Sequence, residues 1–322
     1  MEATLGSTRL CKTLCTAWAR CLPASPRASL LAPTLASVLV SLLAWAALPA
    51  AHAQDAGQLR ARHAALAEQL GNSPFKRPLH LESAQTSGDL KGDVYAVVEH
   101  PFTTVGQALN GMGRWCDLLI LHLNVKHCRA ISGPPADTLS VSVGRKFDQP
   151  LDETYKVDFS YRVAAATADY LQVLLSADSG PMSTRNYRIM LEATPLDGRR
   201  SFLHMSYSYA YGVAARVATQ AYLSTLGAGK VGFSVVERRP DGQPVYVGNV
   251  RGVVERNTMR YYLCIEAYLG ALSAPAPEQV EKRLRDWYAA TERYSLQLHE
   301  LEQNDYLEMK RKEVQRQQSG GS

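Results

Sequence analysis

Between residues 121 and 211 six strand-like segments follow one another with only turn residues between them, and this stretch decides what class of fold the chain can adopt. Residues 121–128, 138–146, 155–164, 170–177, 186–194 and 201–211 are rich in β-branched and aromatic side chains. Gly133-Pro134-Pro135, Ser179-Gly180-Pro181 and Asp197-Gly198 stand in the gaps. Neighbours joined by connections this short run antiparallel, because a parallel pair needs a crossover of about a dozen residues or more. One further strand is expected ahead of them, at Val94-Tyr95-Ala96-Val97-Val98, so that the folded body begins near Asp93. His100-Pro101 ends it. Two short helices follow, one capped by Thr103 or Thr104 and ending at Asn110-Gly111, the other from Arg114 to about Ile120.

Helices bracket the sheet. Residues 213–226 predict an Ala-rich helix closed by Gly227, and a hairpin over 230–237 and 245–249 turns at Pro240-Asp241-Gly242. Residues 253–272 place Val254, Tyr261, Cys264, Ile265, Tyr268 and Leu272 on one broad face, which suits packing against a sheet. Beyond Pro275 and Pro277, residues 278–317 read as helix. There Val280, Leu284, Trp287, Thr291, Tyr294, Leu298 and Leu301 keep a seven-residue repeat that stops at Asp305. A rod of about 40 residues would be roughly 60 Å long; it must bend, overhang the body, or pair with something. Ahead of the body, residues 58–70 predict a peripheral polar helix, followed by a connector over 72–78.

The leader fixes where such a body would work. Arg9, Lys12, Arg20 and Arg27 precede an apolar run over 30–48 and then Ala51-His52-Ala53, the order of charge, apolar stretch and small-residue cleavage site of a secretory signal. Cleavage near Ala53 would leave Gln54 first and the protein periplasmic or secreted. The rival is an uncleaved anchor, since the run approaches the roughly 20 residues of a membrane span. No lipobox cysteine follows the run. Removing residues 1–53 takes four basic residues and one acidic, which lowers the formal charge from +5 to +2 and removes the case for a nucleic-acid partner. About 270 residues remain, enough for one large domain with appendages. They divide as 54–92, N-terminal helix and linker; 93–275, the main domain; and 276–322, a long C-terminal helix with a disordered tail.

Cys116, Cys128 and Cys264 are the cysteines left after cleavage. Cys116 with Cys128 is the expected disulfide, being close in sequence in an oxidising compartment; two buried thiols are the alternative. Zinc between them does not follow, because on a strand over 121–128 His122 and Cys128 share a face while His127 points away. No metal and no cofactor is expected.

In this element order, with Trp115 and Cys116 in the second small helix, residues 93–272 resemble the START-like (SRPBCC, helix-grip) superfamily. Gly92-Asp93-Val94-Tyr95-Ala96 and Lys230-Val231-Gly232-Phe233 are also similar to stretches of exported bacterial proteins that have no assigned activity. The resemblance implies an α+β fold in which a curved antiparallel sheet wraps a long helix, with a cavity between them. Relatives use it for lipids and other apolar ligands, and a few for cyclase or hydrolase chemistry. The helix over 213–226 and the C-terminal helix are additions to that pattern.

Residues that would line such a cavity are legible from strand alternation. Leu203, Met205, Tyr207, Tyr209 and Tyr211 share one face of their strand, and Tyr187, Ile189 and Leu191 share one face of the strand before it. With Tyr261 and Tyr268 from the long helix, the expected ligand-binding set is Tyr187, Ile189, Leu191, Met205, Tyr207, Tyr209, Tyr261 and Tyr268. Tyrosines offer apolar area and one hydroxyl each, which suits an amphipathic ligand. Arg188, Glu192 and His204 could form an acid–base set but are expected on a solvated outer face. No catalytic residue is assigned. Gly227-Ala228-Gly229-Lys230-Val231-Gly232 spells a dinucleotide fingerprint, yet it follows a helix and precedes a strand, the reverse of the required order. Ser73-Pro74-Phe75-Lys76 has the S-x-x-K spacing without its companion boxes.

The function expected is therefore an exported binding or carrier protein for a lipid-like or other apolar ligand. An envelope interaction protein acting through its C-terminal helix, and a cyclase- or hydrolase-like enzyme, are the alternatives. The partners implied are an apolar or amphipathic small molecule, a membrane surface and, through residues 278–317, a second copy of the chain.

Overall fold

A computed structural model describes residues 55–225 and 227–319, all within one compact unit, residues 49–322. Residues 1–54, where the leader and cleavage site are expected, Leu226 and the last three residues lie outside the described part. Helix α1 (55–65) and α2 (Ala67–Gly71) lead into a hairpin, β1 (Leu79–Gln85) and β2 (Asp89–Val98). Two short helices follow, α3 (Phe102–Leu109) and α4 (Met112–Leu119). Then come β3 (Val125–Ile131), β4 (Thr138–Val143), β5 (Tyr155–Ala166), β6 (Leu171–Ser179), β7 (Arg185–Pro195) and β8 (Ser201–Ala210). After α5 (Val213–Leu223) a small hairpin, β9 (Val235–Arg238) and β10 (Pro244–Tyr246), precedes α6 (Asn249–Gly270). The chain ends with α7 (Gln279–Glu292), α8 (Ser295–Leu298) and α9 (Gln303–Ser319).

Eight strands form one curved sheet in the order β1-β2-β8-β7-β6-β5-β4-β3, antiparallel throughout. Helices α3 and α4 carry the chain from β2 to the far edge, and the meander from β3 to β8 brings it back beside β2. Burial alternates as a one-sided core requires: on β5, Val157, Phe159 and Tyr161 are buried while Lys156, Asp158, Ser160 and Arg162 are exposed. Helix α6 lies across β1, β2 and β8 on that inner face and touches α4. The crossing is close enough to need a glycine: a Cβ on Gly92 would stand 2.3 Å from Thr258 Oγ1.

The sheet starts earlier than Asp93. Residues 79–92, expected as linker, supply β1 and the first turn of β2, with Leu79 opposite Ala96 and Leu81 opposite Val94. As an edge strand β1 buries only Leu79 and Leu81, too short an alternation to stand out from a connector. The strand expected from 121 begins only at Val125, because α4 unwinds through turns in which the Leu121 and His122 N–H groups donate to the Leu118 and Leu119 carbonyls. Cys116 on α4 and Cys128 on β3 are disulfide-bonded, and Cys264 is free and buried. With both sulfurs so engaged, zinc has no thiolates there.

Helices α1 and α2 are not peripheral. Ala56, Leu59, Leu66 and Leu70 pack on Tyr95, Ala165, Tyr170 and Phe202, a second core on the outer face of the sheet. At the other end, the segment over 278–317 takes the bent form of its three options. Helix α7 packs on α6, the chain turns through α8, and α9 returns against β3 and α7. Four heptad residues, Leu284, Trp287, Thr291 and Leu298, are buried inside the chain itself. Trp287 stacks on Tyr306 with centroids 5.0 Å apart and donates from Nε1 to the Arg260 carbonyl.

Candidate ligand cavity

A cavity of ≈310 Å³ lies between the inner face of the sheet and α6. Strand alternation sends Val141, Val157, Ile189 and Tyr207 inward, α6 contributes Tyr261 and Asn257, and α5 covers the space with Ala215, Ala218, Thr219 and Tyr222. Six tyrosines line it, and four of them form one cluster of rings. The Tyr187 and Tyr209 rings stack 5.3 Å apart, and Tyr207 lies 5.5 Å from Tyr209 and 5.2 Å from Tyr261. The Tyr187 hydroxyl pairs with Thr184 Oγ1 at 2.7 Å. Burial raises the phenol pKa of Tyr207, Tyr209 and Tyr261, so all three stay neutral.

One polar group at this wall stands out. His122 stacks on Tyr261, centroids 4.6 Å apart, and accepts the Asn124 N–H at Nδ1, which leaves the ring proton on Nε2. That Nε2 is buried and has no hydrogen-bond partner among the described residues. Burial, then the charges of Arg260, Lys310, Lys146 and Lys126, hold His122 well below the usual histidine range. Beside the cavity, Lys146 donates to the Tyr222 hydroxyl and to Glu300, both at 2.6 Å, and Arg260 donates to the same Glu300 oxygen at 2.8 Å. Burial and the Arg260 charge push the Lys146 amine down to about 7 against the pull of Glu300.

Of the eight residues expected to bind ligand, Tyr187, Ile189, Tyr207, Tyr209 and Tyr261 line this cavity. Leu191, Met205 and Tyr268 do not. Leu191 and Met205 pair in register farther along β7 and β8, where both side chains are buried in the core. Tyr268 sits seven residues beyond Tyr261, about 10 Å along the helix axis, under the Arg283 guanidinium. Sequence reasoning missed His122, Asn124 and Asn257. His122 was hidden because a strand over 121–128 gave it a regular strand position, whereas the turn after α4 sets its ring against Tyr261.

The outer face carries a separate polar cluster. His204 Nδ1 meets Glu192 at 2.7 Å and Nε2 meets Asp93 at 2.9 Å, while Tyr95 stacks on the ring at 4.3 Å. Tyr170 and Gln172 donate to the second side of Glu192. His204 is thus buried and Glu192 half-buried, because α1 and α2 pack on that side of the sheet; Arg188 remains exposed. Burial would lower the His204 pKa, but its two carboxylates raise it overall; the same hydrogen bonds lower those of Asp93 and Glu192 against burial. Both ring nitrogens are occupied by carboxylates.

No protein-family model matches the chain, and no curated protein does. Solved structures similar to it include a START superfamily protein from Mycobacterium smegmatis, 11% identical over 44% of this chain and 92% of that one, with a TM-score of 0.29. A truncated norcoclaurine synthase from Thalictrum flavum is 12% identical over 45% and 91%, TM-score 0.32. An aromatase/cyclase from a Streptomyces species is 10% identical over 67% and 95%, TM-score 0.29. We take no activity from similarities at this level. The chain itself shows the arrangement: a strand hairpin and two small helices ahead of an antiparallel meander that closes on β2, with a long helix across the inner face. It has a helix-grip fold. The additions to that pattern are α5 over the cavity, the outer-face helices, and α7 to α9.

Proposed function

We propose that the protein is an exported, noncatalytic carrier or binding protein for a small apolar or amphipathic molecule held between sheet and α6. The observation that carries this reading is the tyrosine-lined cavity, a concave, mostly apolar space with few polar groups, of the size small-molecule sites occupy. The basic leader, apolar run and Ala51-His52-Ala53 support export, and the Cys116–Cys128 disulfide suits an oxidising compartment.

Titration with 1-aminoanthracene, whose fluorescence rises in apolar surroundings, tests the cavity. One site per chain is expected, with binding lost in Val143→Trp. Val143 lines the space on β4, and an aromatic keeps the strand preference there while filling the room. Equal binding by a folded Val143→Trp variant would place the dye elsewhere and sink the reading.

A further inference from the structure

His122 lines the cavity, and its Nε2 is a buried nitrogen with no hydrogen-bond partner among the described residues. Buried polar groups are paired in the great majority of cases, and each exception calls for a reason. His122 is almost wholly enclosed, lines the cavity, and has its Nδ1 committed to the Asn124 N–H, so Nε2–H is the donor without a partner. The ring is held on both sides of that role. Tyr261 stacks on its face, and Lys310 Nζ donates to the His122 carbonyl at 2.7 Å and to the Val125 carbonyl at 2.8 Å, clamping the turn that carries it. Tyr306 donates to the adjacent Leu121 carbonyl at 3.0 Å. A donor fixed this firmly is preorganised, and a ligand acceptor reaching it gains the bond without the cost of ordering the side chain.

We propose that His122 is the polar recognition residue of the cavity: its Nε2–H donates to a carbonyl or carboxylate oxygen of a ligand whose planar apolar body lies among Tyr187, Tyr207, Tyr209 and Tyr261. Charge selects in the same direction. Lys146, Arg260, Lys310 and Lys126 act on His122 as positive neighbours, four cations offset in part by the two carboxylates they pair with, Glu300 and Glu313, which favours an electronegative group at that end and opposes an ammonium. The inference rests on the carrier reading above and adds the chemical class of what is carried.

Four naphthalenes of matched shape test it on the full exported protein: 2-ethylnaphthalene, 2-acetylnaphthalene, 2-naphthoate and 2-(aminomethyl)naphthalene. The acetyl compound, the naphthoate, or both should bind at least about tenfold more tightly than the ethyl compound, which is about 1.4 kcal/mol, and the amine more weakly than any. In His122→Phe, which keeps the ring stack and removes the donor, the oxygen advantage should vanish while ethylnaphthalene still binds. An oxygen advantage absent from the wild type, or retained in His122→Phe, overturns the proposal. If ethylnaphthalene and the others all fail to bind, the cavity reading falls and this inference with it. Should His122→Phe fail to fold, histidine-labelled wild type decides. Acetylnaphthalene must move the His122 Hε2 resonance downfield where ethylnaphthalene does not, and identical spectra overturn the proposal.

Discussion

Glu313 is the residue whose loss should cost this protein most. Its carboxylate lies between two ammonium groups, Lys126 Nζ at 3.0 Å and Lys310 Nζ at 2.7 Å, and all three side chains have 0% exposure. Removing one partner of a buried ion pair costs about 3–5 kcal/mol, because the charge left behind can neither pair nor reach water. Glu313→Met strands two such charges and belongs at the upper end, ~5 kcal/mol, a large share of the ~5–15 kcal/mol that holds a typical domain. The stranded lysines have one escape. Burial already pushes Lys310 down to about 8 with Glu313 present, and without it a proton can leave. A lysine whose folded pKa lies below its unfolded value binds fewer protons in the native state, so stability rises with pH from the folded pKa towards 10.5. Wild type gains in the same way once its own lysines titrate, Lys310 from about 8, so the deficit of Glu313→Met should shrink as pH rises from 7 and then level off. Urea unfolding followed by tryptophan fluorescence and circular dichroism gives the free energies. The triple variant Lys126→Met, Lys310→Met, Glu313→Met should recover part of the loss, since an apolar replacement leaves no charge unpaired. A loss under about 1 kcal/mol, or a triple variant no more stable than the single, would refute the reasoning.

Other consequences follow from particular contacts. Gly92→Ala sets a Cβ 2.3 Å from Thr258 Oγ1 and should destabilise by about 1–3 kcal/mol, part of which Thr258→Ala restores; equal melting of Gly92→Ala and wild type would contradict the close crossing. Replacing both Cys116 and Cys128 by Ala removes a closure spanning 12 residues, and calorimetry should show a loss of roughly 3 kcal/mol, with no loss if the bond is not formed. The stability difference between wild type and His204→Phe should depend on pH. The raised His204 pKa gives stabilisation that is full below 6.5 and fades above its folded value. The lowered Asp93 and Glu192 pKa values give stabilisation that is full above about 4.5 and fades in acid. The difference should thus peak between those limits, and a flat profile would exclude the charged cluster. Deleting residues 303–322 exposes Trp287, Leu121 and the Lys126 site, so it should unfold the body rather than only change its mass; a folded truncated chain would contradict the packing of α9.

The antiparallel meander and the closing helix were legible because their signals are local and repeated: period-two burial on β5 to β7 and a broad apolar face on α6. What failed was set by partners distant in sequence. Strand β1 looks like a linker because half of it is polar, and only its pairing with β2 makes it a strand. Glu192 and His204 occupy the outer-face positions their alternation assigns, but whether that face is wet depends on α1, more than a hundred residues away. The heptad of the last segment marks buried positions, although the helix breaks after Glu292: Leu284, Trp287, Thr291 and Leu298 are buried within the chain, and Tyr294 packs on Phe75 and Phe233. Half of the candidate site came from the tyrosine pattern. His122 could not, since its role depends on α4 unwinding one turn before β3 and on Lys310 reaching back from α9.

The most direct test of the carrier reading is native mass spectrometry of the protein exported to a bacterial periplasm and purified without detergent, followed by solvent extraction. A stoichiometric extra mass is expected, removed by extraction and identified as a small apolar or amphipathic molecule carrying a carbonyl or carboxylate. A chain that is bare in every preparation, and that takes up none of the naphthalene probes afterwards, would contradict the account.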